Sequence, residues 1–497
     1  MRVARDERLG EVGITTLTLT TLLAILIGIT NRRGYAWALA LGGVTPIGAA
    51  LASGDVALPT FYAVALGALV GLVLRGLFGQ KSETSHIPVP GGTALVMLVL
   101  VALVVTLGAP IVFDNTYVYS PGAPSRLAAG VVTKSNIAQM LYLLLGVSVI
   151  FFLARARWAG VQIIGFTVCA TTLLSLWAYL GSVAGVPFPR GFFDNSPAFT
   201  FQETLPGGGM RVRGILSEPA GLATSSLATI AYAAARFPSV RGVRRATLVV
   251  SLAAAAYLGS ISTSATFFVA GAGLLLVAGC IVGGSILFAS RRLGPGAIAA
   301  GCAAAVAAIW VLPLLSSLLA GVIGDKVVSS SYADRSGSDD YAYQLARATF
   351  GIGVGVGSNR ASSFLPSLLS TVGVLGTLLL FGAMAAILRA SWRRPEVRPV
   401  AWVLTAVLVS KFISGPDLAD TSGLTWTTLG VLAAAAVRGA RERTTPTTAV
   451  SAAPPSAQLS VGPPQDHQER ARARLVAAQS TGADRRLTAS VDDRRMT

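Results

Sequence analysis

The sequence predicts an all-α, polytopic membrane protein with about 11–13 transmembrane helices and two long extracytoplasmic loops. Of the 497 residues, 53% are hydrophobic and only 12% are charged, which is too little charge to cover a soluble surface of this size. The apolar residues fall in blocks, and the block 92–107 contains no charged residue at all. These blocks lack the alternation of barrel strands, and lipid offers no partner to unpaired backbone groups, so the blocks are predicted to be helices.

The apolar blocks give the predicted spans in chain order. Most approach the roughly 20 apolar residues that a helix needs to cross the bilayer core. Several are shorter, and we expect some to be merged or re-entrant segments. The blocks lie at 13–30, 35–52, 56–74, 92–110, 135–153, 159–184, 215–235, 246–262, 265–289, 296–316, 364–388, 399–413 and 425–438.

Basic residues on alternate connections predict the orientation of these spans. Connections 111–134, 185–214 and 317–363 fall on the other, outer side, and the last two are the predicted long extracytoplasmic loops. The N-terminal charges nearly cancel, so thirteen spans would place the N-terminus outside and twelve would place it inside. The basic residues that mark the cytoplasmic side are Arg32, Arg33, Arg75, Lys81, Arg155, Arg157, Arg236, Arg241, Arg244, Arg245, Arg291, Arg292, Arg389, Arg393, Arg394, Arg398, Arg438, Arg441 and Arg443.

Composition divides the chain into a predicted transmembrane domain, 1–439, and a tail, 440–497. The tail is rich in Pro, Ser, Thr, Ala, Gln and Arg, so it is predicted to be disordered and cytoplasmic. The net charge of +17 reflects mainly the basic inner connections, and we expect no nucleic-acid partner. All three cysteines, Cys169, Cys280 and Cys302, lie inside apolar blocks and indicate no disulfide framework.

The two long outer loops carry basic residues that the orientation does not require. Arginine binds phosphate and diphosphate groups through a two-pronged fork, so these residues favour an anionic ligand outside the membrane. The alternative is pairing with anionic lipid headgroups or with acidic residues such as Asp194, Glu203, Asp325, Asp334, Asp339 and Asp340. The basic residues are Arg190, Arg211, Arg213, Lys326, Arg335, Arg347 and Arg360.

Segment 210–221 places Arg211, Arg213 and Glu218 at the outer end of an apolar block. Ser217 can cap the helix there, and Pro219 fits its first turn. Glu218 would then also lie in the first turn, where the helix dipole favours a negative charge, and this is a sufficient structural role. The functional alternative is a carboxylate that accepts the proton of a sugar hydroxyl.

Segment 347–366 carries alternating glycines that end at Ser358, Asn359 and Arg360. It lacks the Gly-Lys-[Ser/Thr] of a Walker loop and the glycine spacing of a dinucleotide-binding motif. Alternating glycines let backbone amides approach a ligand closely, which makes this segment a candidate binding element. The alternative is a flexible hairpin that enters the next span.

Together these segments resemble the O-antigen polymerase/ligase family of membrane glycosyltransferases. Arg213 and residues 217–220 match the family's arginine and its Glu-Pro-Ser/Ala segment at the start of a span. Arg335, residues 353–358 and residues 373–376 match its later arginine, its Gly-x-Gly-x-Gly-Ser stretch and its Gly-x-x-Gly span. The resemblance covers about residues 90–438 and includes the break at 262–265.

The resemblance implies a fold of about twelve helices and a site at the outer face of the cytoplasmic membrane. It also implies no metal or cofactor. The implied activity is polymerisation of polyprenyl-diphosphate-linked repeat units for exopolysaccharide or cell-surface polysaccharide, with membrane lipids, a chain-length regulator and a flippase as partners. Glu218, Arg213 and Arg335 would be catalytic, with Glu218 as the base. The residues that would bind the diphosphate or glycan are Arg211, Arg347, Arg360, Gly355, Gly357 and Ser358.

Three alternatives stay open: a ligase of the same family, and two functions of other classes. Some ligase members of the family are thought to use a loop histidine as base, whereas His86 and His467 fall on the predicted inner side, so a polymerase is favoured over transfer to a lipid or protein. A transporter or flippase for a lipid-linked glycan would place charges within its spans. The predicted spans here are nearly free of charged residues, and Lys411 is the main exception. A purely structural scaffold would not require the outer arginines.

Overall fold

The computed structural model describes residues 16–30, 32–53, 56–77, 87–120, 123–156, 158–193, 195, 211–288 and 330–444. Within them the chain is mostly helical, with two short antiparallel hairpins. The elements are α1 (Thr16–Thr30), α2 (Arg32–Val44), β1 (Ala49–Ser53), β2 (Val56–Pro59), α3 (Thr60–Leu77), α4 (Gly92–Val112), β3 (Tyr117–Ser120), β4 (Ala123–Arg126), α5 (Lys134–Ala154), α6 (Val161–Val183), α7 (Arg190–Phe193), α8 (Pro219–Arg236), α9 (Val243–Ile261), α10 (Ala265–Phe288), α11 (Ser330–Ala348), α12 (Phe364–Thr371), α13 (Gly373–Ser391), α14 (Arg398–Ile413) and α15 (Leu424–Thr444).

Every predicted apolar block inside the described residues contains a helix, and the block 296–316 lies outside them. The predicted spans 35–52 and 56–74 are wrong where they meet, because β1 pairs with β2 there. Helix α2 ends at Val44, since Pro46 disfavours a helical conformation at Thr45. The prediction of a purely helical fold also omitted the β3–β4 hairpin.

Four helices of the described chain are long and apolar enough to cross a membrane: α4, α5, α6 and α13. Shorter apolar stretches lie in α1, α2, α3 and α10. On α4 and α13 large apolar side chains face outward, for example Val104 at 69% and Leu378 at 65% exposure. Such a surface is better suited to lipid than to water.

Helix connections alternate between two ends of the helix bundle. At one end, called the site end, the Tyr62 hydroxyl at the start of α3 donates to the Asp420 carbonyl in the α14–α15 turn at 2.9 Å. At the opposite end, called the basic end, Arg438 donates to the Ala159 carbonyl between α5 and α6 at 3.1 Å. The connections with the highest density of arginine, at 236–245 and 389–398, lie at the basic end.

Helix α1 begins at the site end. The Thr18 hydroxyl donates to the carbonyl of Ala50 in β1, which fixes the first turns of α1 against the β1–β2 hairpin. Asn195 covers the same hairpin, because its amide oxygen accepts from the Ala49 N–H at 2.7 Å and its amide nitrogen donates to the Ala49 carbonyl at 3.0 Å. The start of α1, the first described helix, therefore lies at the site end, and the N-terminus itself lies outside the described residues.

Three further features differ from the predicted ones. The predicted span 364–388 is two helices, because Gly373 interrupts it with φ +72°, and a Cβ there would lie 2.2 Å from the Ile352 carbonyl oxygen. The predicted outer loop 317–363 contains the helix α11. Helix α15 continues to Thr444, beyond the predicted start of the tail at 440, and residues 445–497 lie outside the described chain.

Candidate functional site

Glu218 immediately precedes helix α8. Pro219 is the first helical residue, as its preference for a helix start predicts, and Glu218 occupies the N-cap position with φ −151° and ψ 162°. The prediction that Ser217 caps this helix and that Glu218 lies in its first turn is therefore wrong by one residue. The Glu218 side chain makes no capping hydrogen bond within the described structure. Its half-buried carboxylate instead borders a cavity.

The turn before Glu218 packs closely on helix α6. Gly214 has φ +61°, and a Cβ there would lie 2.6 Å from the Cβ of Ser175. Arg213 donates from Nη1 to the Leu216 carbonyl at 3.0 Å and so braces this turn. Arg213 thereby fixes the backbone that presents Glu218, which is a positioning contact.

Arg211 contacts the break between α9 and α10. Its Nε donates to the Thr263 hydroxyl at 3.3 Å and its Nη2 donates to the Thr263 carbonyl at 3.2 Å. Burial lowers the pKa of Arg211, the positive charge of Arg335 lowers it further, and the carboxylate of Glu218 raises it. Arg211 is therefore close enough to interact both with Glu218, from its own segment, and with Arg335, from helix α11.

Helix α11 carries Arg335 and is attached to the start of α12. One turn beyond Arg335, the Asp339 carboxylate accepts from the Ser362 N–H at 2.7 Å and from the Ser363 N–H and hydroxyl at 3.0 and 2.6 Å. The hydroxyls of Ser338 and Ser362 are 2.8 Å apart. Asp339 thus holds the two residues that precede α12, whereas the sequence suggested it as an ion-pair partner.

Arg360 lies where the glycine-rich segment meets the α14–α15 turn. Its guanidinium Nη2 is 3.6 Å from the Asp417 carboxylate. Its backbone N–H donates to the Tyr119 carbonyl at 2.8 Å, and the Tyr119 N–H donates to the Asn359 side chain at 3.1 Å. Strand β3 therefore fixes the backbone of Arg360 beside Asp417.

The glycine-rich segment is packed against helices and is not a free hairpin. Gly355 and Gly357 have φ of +95° and +81°. A Cβ on Gly355 would lie 2.7 Å from the Cα of Thr106, and one on Gly357 would lie 2.6 Å from the Ser135 carbonyl oxygen. The Gly355 N–H donates to the Thr371 carbonyl at 3.0 Å. These glycines are required by backbone geometry and close packing.

Asn136 joins the same segment to helix α5. Its Nδ2 donates to the Val356 carbonyl at 2.7 Å and to the Ser358 hydroxyl at 2.8 Å. Its Oδ1 accepts from the Thr133 N–H at 2.9 Å, and the Thr133 hydroxyl accepts from the Asn136 N–H at 3.2 Å, which completes a capping box. Ser358 is consequently part of a buried polar network.

Arg347 lies apart from Arg335 on the same helix. It lies twelve residues after Arg335 on α11, which at 1.5 Å per residue is about 18 Å along the helix axis. The exposed side chain donates from Nε to the Tyr343 carbonyl of its own helix at 3.3 Å. Arg347 borders a separate open groove beside Phe350.

A cavity of about 140 Å³ lies between α2, α6, α8, α14 and the α14–α15 turn. Four charged residues border it, Glu218, Lys411, Asp417 and Asp420, together with several serine and threonine residues. From the sequence, Lys411 was predicted only as a charge within a span, and no role was predicted for Asp417 or Asp420. The available signal was the polar turn Gly415-Pro-Asp-Leu-Ala-Asp420 between two apolar blocks.

Lys411 is only 8% exposed and occupies the last turn of α14. Its Nζ donates to the Asp417 carbonyl at 2.8 Å, so the ammonium fixes the backbone of the turn. The Asp420 carboxylate accepts from the Ser422 N–H at 3.0 Å and from the Thr425 hydroxyl at 3.2 Å, and so caps α15. Lys411 and Asp420 hold the turn in place, while Asp417 faces Arg360.

Other predicted features lie elsewhere. His86 and His467 fall outside the described residues, as does Lys326. Within the described chain no group of three or more His, Cys, Asp or Glu side chains is arranged to hold a metal ion. Comparison with protein-family models, with curated proteins and with solved structures finds no match to this chain.

Proposed function

We propose that this protein is a multi-pass membrane glycosyltransferase that polymerises polyprenyl-diphosphate-linked oligosaccharide units at the outer face of the cytoplasmic membrane. The observation that carries the proposal is that Arg211 interacts with both Arg335 and Glu218, and that Glu218 borders a cavity. A carboxylate that interacts with one guanidinium group, which in turn interacts with a second, supplies a proton acceptor close to an anion-binding pair. The resemblance to the O-antigen polymerase/ligase family agrees with this pairing.

The membrane orientation in the proposal rests on the separation of the two ends of the bundle. Arginine-rich connections belong on the cytoplasmic side by the positive-inside rule, which assigns the basic end to the cytoplasm. The site end is then extracytoplasmic, where a lipid-linked donor made inside would arrive after being flipped. The outward apolar side chains of α4 and α13 supply the lipid-facing surface that this orientation needs.

The proposed reaction is a displacement at the anomeric carbon of the carrier-linked glycan. An acceptor sugar hydroxyl attacks that carbon, and its proton passes to the Glu218 carboxylate. The bond between the anomeric carbon and the diphosphate oxygen breaks, and polyprenyl diphosphate leaves with the electron pair. Arg211 and Arg335 stabilise the negative charge that develops on the leaving group, and Arg360 lies at the far edge of the same site.

The remaining predicted site residues have different roles in this proposal. Arg213 is a positioning residue, because it braces the turn before Glu218. Gly355, Gly357 and Ser358 support the site by packing, since their neighbours are helix backbone and Asn136. Arg347 is not included, because of its distance along α11 from Arg335.

A ligase and a transporter are the alternatives to a polymerase. A ligase that transfers the glycan to a lipid or protein acceptor would use the same donor chemistry and remains the second candidate within this class. A transporter would place charge near the middle of its spans. Lys411 lies instead in the last turn of α14 and bonds the Asp417 carbonyl, which favours the enzyme.

The test is Glu218→Gln, with Glu396→Gln as the matched control at the basic end, where Glu396 pairs with Arg394 at 3.5 Å. Protein reconstituted in nanodiscs would receive polyprenyl-diphosphate-linked oligosaccharide, and products would be separated by length. Loss of a general base should slow elongation by on the order of 100- to 10,000-fold, because Gln keeps the shape but cannot take the proton. Glu396→Gln should elongate normally.

A Glu218→Gln variant that elongates at the wild-type rate would remove Glu218 from the mechanism. Wild-type protein that moves the intact lipid-linked glycan across the bilayer without lengthening it would instead establish the transporter.

A further inference from the structure

Charge is divided between the two sides of Glu218. On one side lies the guanidinium group of Arg211, which bonds Thr263 and interacts with the guanidinium group of Arg335. On the other side lies the cavity, whose charged residues are three carboxylates and a single ammonium. An anionic diphosphate fits the first side, and the second side repels a further anion.

The cavity wall is rich in hydrogen-bond acceptors. Thr171 on α6 and Thr224 on α8 border it, and their hydroxyls donate to the carbonyls of Thr167 and Ala220 in their own helices at 2.8 and 3.0 Å. Each hydroxyl has donated its proton within its own helix and keeps its lone pairs as acceptors. Carboxylate oxygens add further acceptors, so the wall matches a ligand with many O–H donors.

The ammonium of Lys411 does not outweigh the negative charge and the hydrogen-bond acceptors of the cavity wall. It is buried and donates to the Asp417 carbonyl, so part of its donor capacity is used within the wall. The Asp417 carboxylate faces Arg360 at the cavity edge, and both side chains are partly exposed at 45% and 38%. Apart from the Asp417–Arg360 pair, the charged residues of the cavity are Glu218, Asp420 and Lys411. Two carboxylates and one ammonium leave the cavity with a net negative charge.

We infer that this cavity is the subsite for the acceptor sugar and that it selects an uncharged pyranose over an acidic one. This inference rests on the proposed function and assigns the two substrates to opposite sides of Glu218. The donor diphosphate occupies the arginine side, and the terminal sugar of the acceptor occupies the cavity, with its nucleophilic hydroxyl toward Glu218. A uronic acid would bring its carboxylate against Glu218 and Asp420.

The experiment measures binding of simple glycosides to the full-length protein in nanodiscs by saturation-transfer NMR. The probes are methyl glucopyranoside and the corresponding methyl glucopyranosiduronate at neutral pH, where the uronate is ionised. Wild-type protein should bind the neutral glycoside, and the uronate should bind at least about tenfold more weakly because of repulsion by the cavity carboxylates. The Asp417→Asn variant should show a smaller difference in affinity between the two glycosides.

Thr224→Val and Thr405→Val form a matched pair of variants. Both threonines donate to the carbonyl four residues earlier, at 3.0 Å for Thr224 and 2.9 Å for Thr405. Only Thr224 borders the cavity. Thr224→Val should weaken glycoside binding several-fold at unchanged melting temperature, and Thr405→Val should bind as the wild type does.

Equal binding of both glycosides, or an equal effect of the two threonine variants, overturns the inference. Binding of sodium ion at this cavity without any glycoside binding also overturns it, because the acceptors would then serve a cation. Elongation measured on the same samples separates this inference from the proposed function. If the protein binds the glycosides selectively but does not elongate the glycan, the polymerase is refuted and the sugar site is supported. If it elongates the glycan but does not bind the glycosides selectively, the polymerase is supported and the sugar site is refuted.

Discussion

The carboxylate of Asp417 lies 3.6 Å from the guanidinium of Arg360, which joins the α14–α15 turn to the end of the glycine-rich segment. Both side chains are partly exposed, so this ion pair should contribute only about 0–1 kcal/mol to the free energy of unfolding. Its importance is its position, because Asp417 also borders the cavity that Glu218 borders. Three segments that are distant in the sequence therefore share one charged edge.

Arg335 and Arg347 should differ sharply although they belong to the same helix. Arg335→Ala removes a guanidinium that interacts with Arg211, so elongation should fall by about 100-fold or more if it stabilises the leaving group. Arg347→Ala should retain most activity, since that side chain points to a separate groove. Elongation rates at matched protein amounts check this, and equal losses in the two variants would contradict the separation.

Arg335→Lys refines the same prediction. Lysine keeps the charge but cannot form the two-pronged contact with a diphosphate, so it should restore activity only in part. Full restoration would mean that charge alone is needed at this position.

Gly355→Ala should destabilise the protein. The residue has φ +95°, and the new Cβ would lie 2.7 Å from backbone of α4, which the helix cannot relieve by rotating a side chain. We expect a loss of more than about 2 kcal/mol, measured as a lower melting temperature in detergent. The control is Gly108→Ala on α4, where a Cβ meets nothing within 4 Å. A melting temperature that is unchanged in Gly355→Ala would refute the packing role.

Phe350→Gly should stabilise the protein. Phe350 has φ +53° at the end of α11 and is 88% exposed, so the strain of a left-handed conformation is offset by little packing. Glycine relieves that strain, and we expect a gain of about 1 kcal/mol. Phe350→Ala keeps the unfavourable conformation and serves as the control. A destabilised glycine variant would show that the phenyl ring has an essential partner outside the described chain.

The sidedness of the bundle predicts a labelling pattern. In a background without native cysteines, Val131→Cys lies at the site end and Ser239→Cys lies at the basic end, and both positions are exposed. An impermeant maleimide added to intact cells should label Val131→Cys alone. A tag placed before α1 should react from outside as well, because Thr18 lies against the β1–β2 hairpin at the site end. Labelling of Ser239→Cys alone would invert the proposed orientation.

The sequence was sufficient for the helices because a long apolar block has few other stable conformations. It failed at the β1–β2 hairpin, whose Ala, Leu and Val residues continue the apolar blocks on either side and give no change in composition. From the sequence, Arg335 and Arg347 were also predicted to lie in one loop. Their separation depends on α11 being helical, and the polar composition of that segment concealed its structure.

The candidate site was predicted only in part for a related reason. Local motifs identified Glu218 and its neighbouring arginines, since these residues are close in sequence. The cavity and the pairing of Arg360 with Asp417 depend on which helix ends meet, and no pattern within one segment reports that. Asp339 illustrates the same limit, because its three hydrogen bonds go to the start of another helix.

The side-chain amide of Asn136 couples the first turn of α5 to the glycine-rich segment. Its oxygen closes the first turn of α5, while its nitrogen holds the backbone and hydroxyl of the glycine-rich segment. Fraying of that helix turn and detachment of the segment that ends at Arg360 therefore belong to a single cooperative opening. Amide protons in the two places should exchange with solvent at a shared rate, as one unit with one opening free energy.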